Sequence, residues 1–205
     1  MTSAQSGEAA PTAKRAAVQA AVLAATEELL SEGASYADLN IERIAKRAGI
    51  SRTAFYFYFR DKRDLLTRLT ADVAELLYGQ AEIWFSGEGD PEDEIREALT
   101  NIAALYGEHG VLLRAIVEVA TYDEQVAQAW HGLLGRFVDA SRRRIEAEQA
   151  VGRATVEHPH ATAFALCWMT EHTMYQHSVE GQPFATADMV DALVGIWLRS
   201  VYASS

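Results

Sequence analysis

The sequence predicts an all-α protein, and three observations carry that expectation. Ala, Leu, Glu and Arg dominate a chain of 205 residues with only four prolines, so strong helix formers are abundant and the main helix breaker is scarce. Apolar residues recur at intervals of three and four along most of the chain, whereas β-branched runs are few. Start signals (Asn, Ser or Asp) and stop signals (Gly) cut these periodic stretches at helix-like lengths. About half of the residues are apolar, enough for one generous core or two small domains at ~100–200 residues each. The expected division is a flexible tail at 1–16, a three-helix head at 17–63 and a helical body at 64–205.

The tail is small and polar and lacks the apolar stretch of a signal peptide, so no secretion is expected. A first helix follows over residues 17–32, where Val18, Val22, Ala25, Leu29 and Leu30 share a face and Gly33 ends it. Asn40 is placed to cap a second, short helix with Ile41, Ile44, Ala45 and Ala48 on its inner side and Arg43, Lys46 and Arg47 opposite, stopped by Gly49. Ser51 is a third N-cap. It precedes five consecutive aromatics, Phe55 to Phe59, which taken alone alternate like a β-strand. A strand here has no neighbour to pair with, while a two-turn helix puts Phe55 and Phe59 on one buried face and turns Tyr56 and Tyr58 elsewhere. Asp61, with Asp64 three residues on, starts a long helix from Lys62 to about residue 85. Further helices are expected at about 91–108, 111–121, 123–150, 159–179 and 185–203.

Charge is unevenly divided. Residues 1–70 carry net +2 and residues 71–205 net −13, giving the overall −11. So acidic a chain does not coat polyanions indiscriminately, yet the basic cluster from Arg43 to Arg68 can draw one face of the head to a phosphate backbone. The lone Cys167 sits among apolar residues and reads as a buried thiol, and no apolar stretch reaches the ~18 residues of a membrane span. A reducing cytoplasm is the expected location, with no membrane partner.

Helix, tight turn at Gly49 and second short helix make a helix-turn-helix, whose second helix enters the DNA major groove. Ser51 then caps the recognition helix, Arg52 is the guanine reader, Thr53 meets a thymine methyl or a phosphate, and Tyr56 lies one turn later. Tyr58, Lys62, Arg43 and Arg47 are the expected backbone contacts. One such helix makes too few base contacts for genomic specificity, and symmetric dimers on half-sites ~34 Å apart are the usual remedy. The last two helices offer the candidate dimer face through Phe164, Leu166, Met169, Thr173, Val190, Leu193, Ile196 and Val201, residues that equally suit a monomer core.

These residues resemble the DNA-binding domain of the TetR family of bacterial regulators. The likeness rests on Ala48, Gly49, Ile50, Ser51, Phe55, Tyr56, Tyr58, Phe59, Lys62, Leu65 and Leu66 and covers roughly residues 17–70. Trp197, in the stretch IWLRSVY, is similar to the subfamily of the mycobacterial repressor of ethionamide activation. Ala54 is smaller than the contact residue many members carry there, and Arg52 is a strong base reader, so the operator does not transfer. The resemblance implies a homodimer on double-stranded operator DNA, with a C-terminal ligand-binding and dimerisation domain that releases the DNA when a small hydrophobic effector fills it. Ile95, Leu99, Ile102, Tyr106, Trp130, Phe137, Trp168, Thr170, Tyr175 and Trp197 lie on the helices the family packs around that ligand, although such rings also build ordinary core.

An enzyme is the competitor, as a helical bundle or ligand carrier without a DNA role. The six histidines include no HExxH, and His158 with His160 beside Pro159 reads as solvated loop rather than a metal pair. Phosphate loops, GxSxG and paired cysteines are absent from the sequence, so no cofactor and no catalytic residue is expected.

Overall fold

Asn, Asp and Pro open the helices and Gly closes several of them. The computed structural model describes residues 9–87 and 89–202, and among these it has nine helices and no strand. They are α1 (Ala9–Ser31), α2 (Ile41–Arg47), α3 (Arg52–Tyr58), α4 (Lys62–Ser86), α5 (Pro91–Glu108), α6 (Gly110–Ala120), α7 (Glu124–Ala150), α8 (Pro159–Ser178) and α9 (Thr186–Val201). The order and number match the sequence expectation, with bounds within about two residues from α2 onward. No described helix is long and apolar enough to cross a membrane.

The N-terminus departs from expectation. Residues 1–8 of the expected tail lie outside the described residues, but α1 begins at Ala9 rather than near 17. The physical reason is the Ala-rich composition; Pro11 is tolerated because the first-turn amides have no intrahelical acceptors to lose.

α1 packs on α2 and on α6, α4 lies between α5 and α7, and α8 and α9 close over α7 and α5. One apolar cluster runs from Val22, Leu29 and Ile44 in the head through Leu65, Leu69 and Leu77 to Ile116, Ile145 and Leu193 in the body. α4 therefore belongs to both parts, and the expected boundary at 63/64 falls in its first turn. At ~1.5 Å per residue its 25 residues span roughly 37 Å.

Part of the surface expected on α8 and α9 for a partner is used internally. Leu166, Val190, Leu193 and Val201 are buried in the chain's own core, Met169, Thr173 and Ile196 are half-buried, and Phe164 stays exposed. The helical repeat explains the difference: a helix apolar over a wide arc covers its own core before it has surface left for a second chain.

Beneath the outer end of α4 is a buried ionic cluster. Arg144 of α7 lies 2.8 Å from Glu148 and 3.5 Å from Glu94 of α5, while Arg153 grips Glu148 with two contacts at 2.5 and 2.9 Å. Its two nitrogen contacts and the Arg144 guanidinium keep the Glu148 carboxyl below the usual carboxylate range against the opposing effect of burial. Gly87 ends α4 at φ 73°, and a Cβ there would overlap the Arg144 guanidinium, so both backbone and space require glycine.

Candidate functional sites: the recognition helix and the body cavity

The head is built by caps. Asn40 Oδ1 accepts the Arg43 amide at 2.8 Å and Ser51 Oγ accepts the Ala54 amide at 3.0 Å, which fixes where α2 and α3 start. Between them Gly49 adopts φ 70°, and the Ile50 amide donates to the Ala45 carbonyl at 3.0 Å. Phe55 and Phe59 are wholly buried with ring centroids 5.2 Å apart, as the two-turn helix requires. That burial anchors α3 from below and leaves its other side to solvent.

On that outer side the structure brings together Ser51, Arg52, Thr53 and Tyr56, all exposed, and Arg52 has no acidic partner among the described residues. Tyr58 is half-buried against the core. Phe57 is 76% exposed, the most exposed of the large apolar residues described here, and sequence reasoning passed over it. The signal was present: a helix that buries Phe55 and Phe59 must turn the residue between the two tyrosines outward.

Lys62 differs from its expected place as a phosphate contact. Its ammonium donates to the carbonyls of Tyr36 at 2.7 Å, Ala37 at 2.9 Å and Leu39 at 2.7 Å, occupying all three of its protons. In return the Tyr36 hydroxyl donates to the Lys62 carbonyl, and the ammonium lies 5.2 Å from the Tyr36 ring centre. Desolvation lowers the Lys62 pKa and burial raises that of Tyr36. This interlock fastens the start of α4 to the turn between α1 and α2. Arg43 and Arg47 are likewise engaged: Arg47 pairs with Glu32 at 2.8 Å and Glu28 at 3.3 Å, and Arg43 approaches Glu32 at 3.7 Å. These acids at the C-terminal end of α1 and just beyond it partly neutralise the basic face of α2.

The body holds the second site, an apolar cavity open on one side, with about 700 Å³ of empty space when the open solvent at its mouth is counted. Of the expected lining residues, Ile95, Leu99, Ile102, Tyr106, Trp130, Phe137, Thr170 and Trp197 face it, whereas Trp168 and Tyr175 line a separate outer groove with His131 and His172. Trp168 sits half a turn away from Thr170 and so looks outward. Sequence reasoning missed Trp84 and Phe85, which α4 contributes at its far end, and also Cys167 and Glu171.

The cavity's polar groups are mostly spoken for. Trp197 donates to Thr170 Oγ1 at 2.9 Å, Trp84 donates to the Tyr202 hydroxyl at 3.2 Å, and the two indoles meet edge to face at 5.0 Å. Ser141 Oγ lies 3.4 Å from Cys167 Sγ, whose thiol is buried as expected and pushed up to about 11 by desolvation. The Tyr106 hydroxyl and Glu171 are the exceptions: neither makes a hydrogen bond or ion pair among the described residues, and burial raises the Glu171 carboxyl to about 7. His158 and Glu157 lie 3.8 Å apart, both highly exposed, where the chain enters α8.

Residues 22–69 match the family described as bacterial regulatory proteins, tetR family, and residues 95–203 match the C-terminal domain of the transcriptional regulator EthR. The HTH-type transcriptional regulator EthR of Mycolicibacterium smegmatis is 32% identical over 193 residues, 91% of this chain and 87% of that one. Its counterpart in Mycobacterium tuberculosis is 31% identical, covering 90% and 87%. Among solved structures, SmeT, the repressor of the Stenotrophomonas maltophilia multidrug efflux pump SmeDEF, superposes with TM-score 0.72 at 17% identity over 91% of each chain. Bacillus subtilis FadR in complex with stearoyl-CoA superposes with TM-score 0.73 at 14% identity, over 88% of this chain and 98% of that one. At such identities these two share the fold.

Proposed function

Because the chain belongs to the TetR family of bacterial transcriptional regulators, in its EthR type, and is a regulator and not an enzyme, we propose that it is a cytoplasmic repressor. It binds a palindromic operator as a homodimer and leaves it when a small, largely apolar effector fills the body cavity. The observation that carries this reading is the outer face of α3, where Arg52, Thr53, Tyr56 and Phe57 stand exposed on a helix fixed from below by two buried phenylalanines.

Each exposed side chain has a role in that reading. Arg52 takes guanine O6 and N7, Thr53 a thymine methyl or a phosphate, and Tyr56 a base edge or the backbone. Phe57 joins them as an apolar contact for thymine methyl groups, since a phenyl ring held in water gains by meeting apolar surface. Ser51, Tyr58, Arg43 and Arg47 serve the phosphate backbone, the arginines by exchanging exposed carboxylates for phosphates. Lys62 is assigned here to positioning α4 rather than to DNA.

α4 supplies the coupling. It starts one residue after the head's Asp61 cap, pairs Arg63 with Asp123 at the start of α7, and ends with Trp84 and Phe85 in the cavity wall. A ligand that displaces those rings tilts the same helix that carries the head, and so changes the spacing of two recognition helices in a dimer. The working division keeps the boundary between head and body at 63/64, with the head's first helix reaching back to Ala9 into the expected tail of 1–16.

Selection of bound duplexes from a random pool, followed by salt titration, tests the assignment. The expected result is a symmetric pair of half-sites about one helical turn apart, with Arg52→Ala relaxing one position in each half at a cost of ~1–3 kcal/mol. An unenriched pool, or no salt-sensitive affinity for any duplex, sinks it.

A further inference from the structure

The inner cavity and the outer groove share a wall at Trp130 and Glu171. Among the described residues lining the inner cavity, Glu171 is the one charged side chain, and no Lys, Arg or His faces that space. We propose that the effector is a cationic amphiphile, an aromatic or aliphatic body seated in the cavity with a protonated amine paired to the Glu171 carboxylate. This rests on the effector reading above and names its chemical class.

The argument is one of unmet chemistry. A half-buried carboxylate with no partner carries a desolvation cost that a bound ammonium removes by charge and hydrogen bond together. Every other polar group on the wall is either engaged or a weak partner: Thr170 already accepts from Trp197, Ser141 leans on Cys167, and Tyr106 offers a hydroxyl with no hydrogen bond among the described residues. An anionic head would find no counter-charge and would be repelled by Glu171. The aromatic faces of Trp130, on both sides of the shared wall, and of Trp168, in the groove, add favourable surface for a cation crossing from outside. Burial already holds the Glu171 proton loosely near neutrality, at about 7, so an approaching ammonium readily drives it off. The groups near Glu171 are Tyr106 of α5, His131 of α7, and His172 and Tyr175 of α8; none is an acid that competes for the amine as Glu171 does.

Three probes of one shape separate charge from apolar fit: 4-phenylbutylamine, 4-phenylbutan-1-ol and 4-phenylbutyrate, titrated calorimetrically into the full chain at pH 8. The expected order is amine, then alcohol at least about tenfold weaker, then acid weakest. Glu171→Gln is expected to bring the amine within about threefold of the alcohol while leaving alcohol binding unchanged. If the wild-type amine binds no better than the alcohol, if its advantage survives in Glu171→Gln, or if none of the three binds, the proposal is overturned. Should Glu171→Gln fail to fold, the wild-type order still decides. Duplex affinity measured with the same probes separates the two readings: an alcohol that binds and releases DNA as well as the amine removes the cation anchor alone. An amine advantage without any effect on DNA supports the anchor and removes the effector role.

Discussion

The head and the body of this regulator treat polar side chains in opposite ways. In the head, polar groups either hold the backbone in place, as Asn40, Ser51 and Lys62 do, or stand in solvent, as Arg52 and Thr53 do. In the body they are drawn inside: Arg144, Glu94 and Glu148 are all buried together, and Glu171 is left at the edge of an apolar cavity without a partner. A surface that must recognise a charged, hydrated polymer keeps its reading groups wet and its scaffold satisfied. An interior shaped around a cavity keeps space and an unpaired carboxyl instead. The difference makes the body the part where a single atom costs most.

Gly87→Ala tests that most severely. The added methyl displaces the Arg144 guanidinium from Glu94 and Glu148, stranding Arg144 and Glu94 in the interior while Glu148 keeps Arg153, and the left-handed φ adds its own strain. The expected loss is about 3–4 kcal/mol, a fall in Tm of roughly 10 °C. Gly49→Ala in the head is the control: its φ is also positive, but nothing stands within 4 Å of the added Cβ, so about 1 kcal/mol of backbone strain is expected. Equal losses at both glycines would erase the contrast between the two regions.

Lys62→Met comes next. It removes three charge-assisted hydrogen bonds to backbone carbonyls, one of which, at Ala37, water can replace. A loss of about 2 kcal/mol is expected, with hydrogen-exchange protection falling around residues 36–39 and not in α7 or α8. The salt slope of DNA binding should not change. A slope lower by ~1 with Tm intact would return Lys62 to the phosphate contact its sequence position suggested.

That reassignment shows where the sequence was legible and where it was not. Helix starts could be read because a cap acts on the amide two or three residues away, so Asn40, Ser51 and Asp61 announced themselves. The buried pair Phe55 and Phe59 followed from helical geometry alone, and so, in hindsight, did the exposure of Phe57. The Lys62 interlock was not legible because its acceptors, from Tyr36 to Leu39, lie more than twenty residues back in the chain and carry no side-chain signal. Glu171 was missed for the related reason that a missing partner is a property of space: nothing in its neighbours along α8 says that the facing helices bring no cation. The cavity-lining positions on α5 and α8 were reached through family likeness, whereas Trp84 and Phe85 required knowing which helices the far end of α4 packs against.

Glu171 also yields a smaller, pH-dependent effect. Its folded carboxyl titrates at about 7, above the ~4.3 of an unfolded chain, because burial penalises the charged form. Stability linked to this group is therefore fully present below the unfolded value and lost as pH rises through about 7. Between pH 5 and 8 the wild type should lose on the order of 1–2 kcal/mol relative to Glu171→Gln, after allowance for its partial contact with water. Subtracting the two denaturation series cancels His131, His172 and the other titrating groups. A flat difference would mean that water or a rearranged side chain already satisfies the carboxyl.

The smallest stability effect belongs to Arg47, and it bears on the head's side of the comparison. Its guanidinium reaches Glu28 on α1 and Glu32 just beyond its end, both with half or more of the side chain exposed. Ion pairs in that setting contribute little, because water and salt compete with them at both ends, so a phosphate can draw the arginine away at small cost. Arg47→Ala should accordingly leave Tm almost unchanged while lowering the salt slope of operator binding by ~1. If Tm drops and the slope holds, Arg47 is a strut between α1 and α2 like Lys62 between α4 and its turn. The head would then read DNA almost wholly through α3.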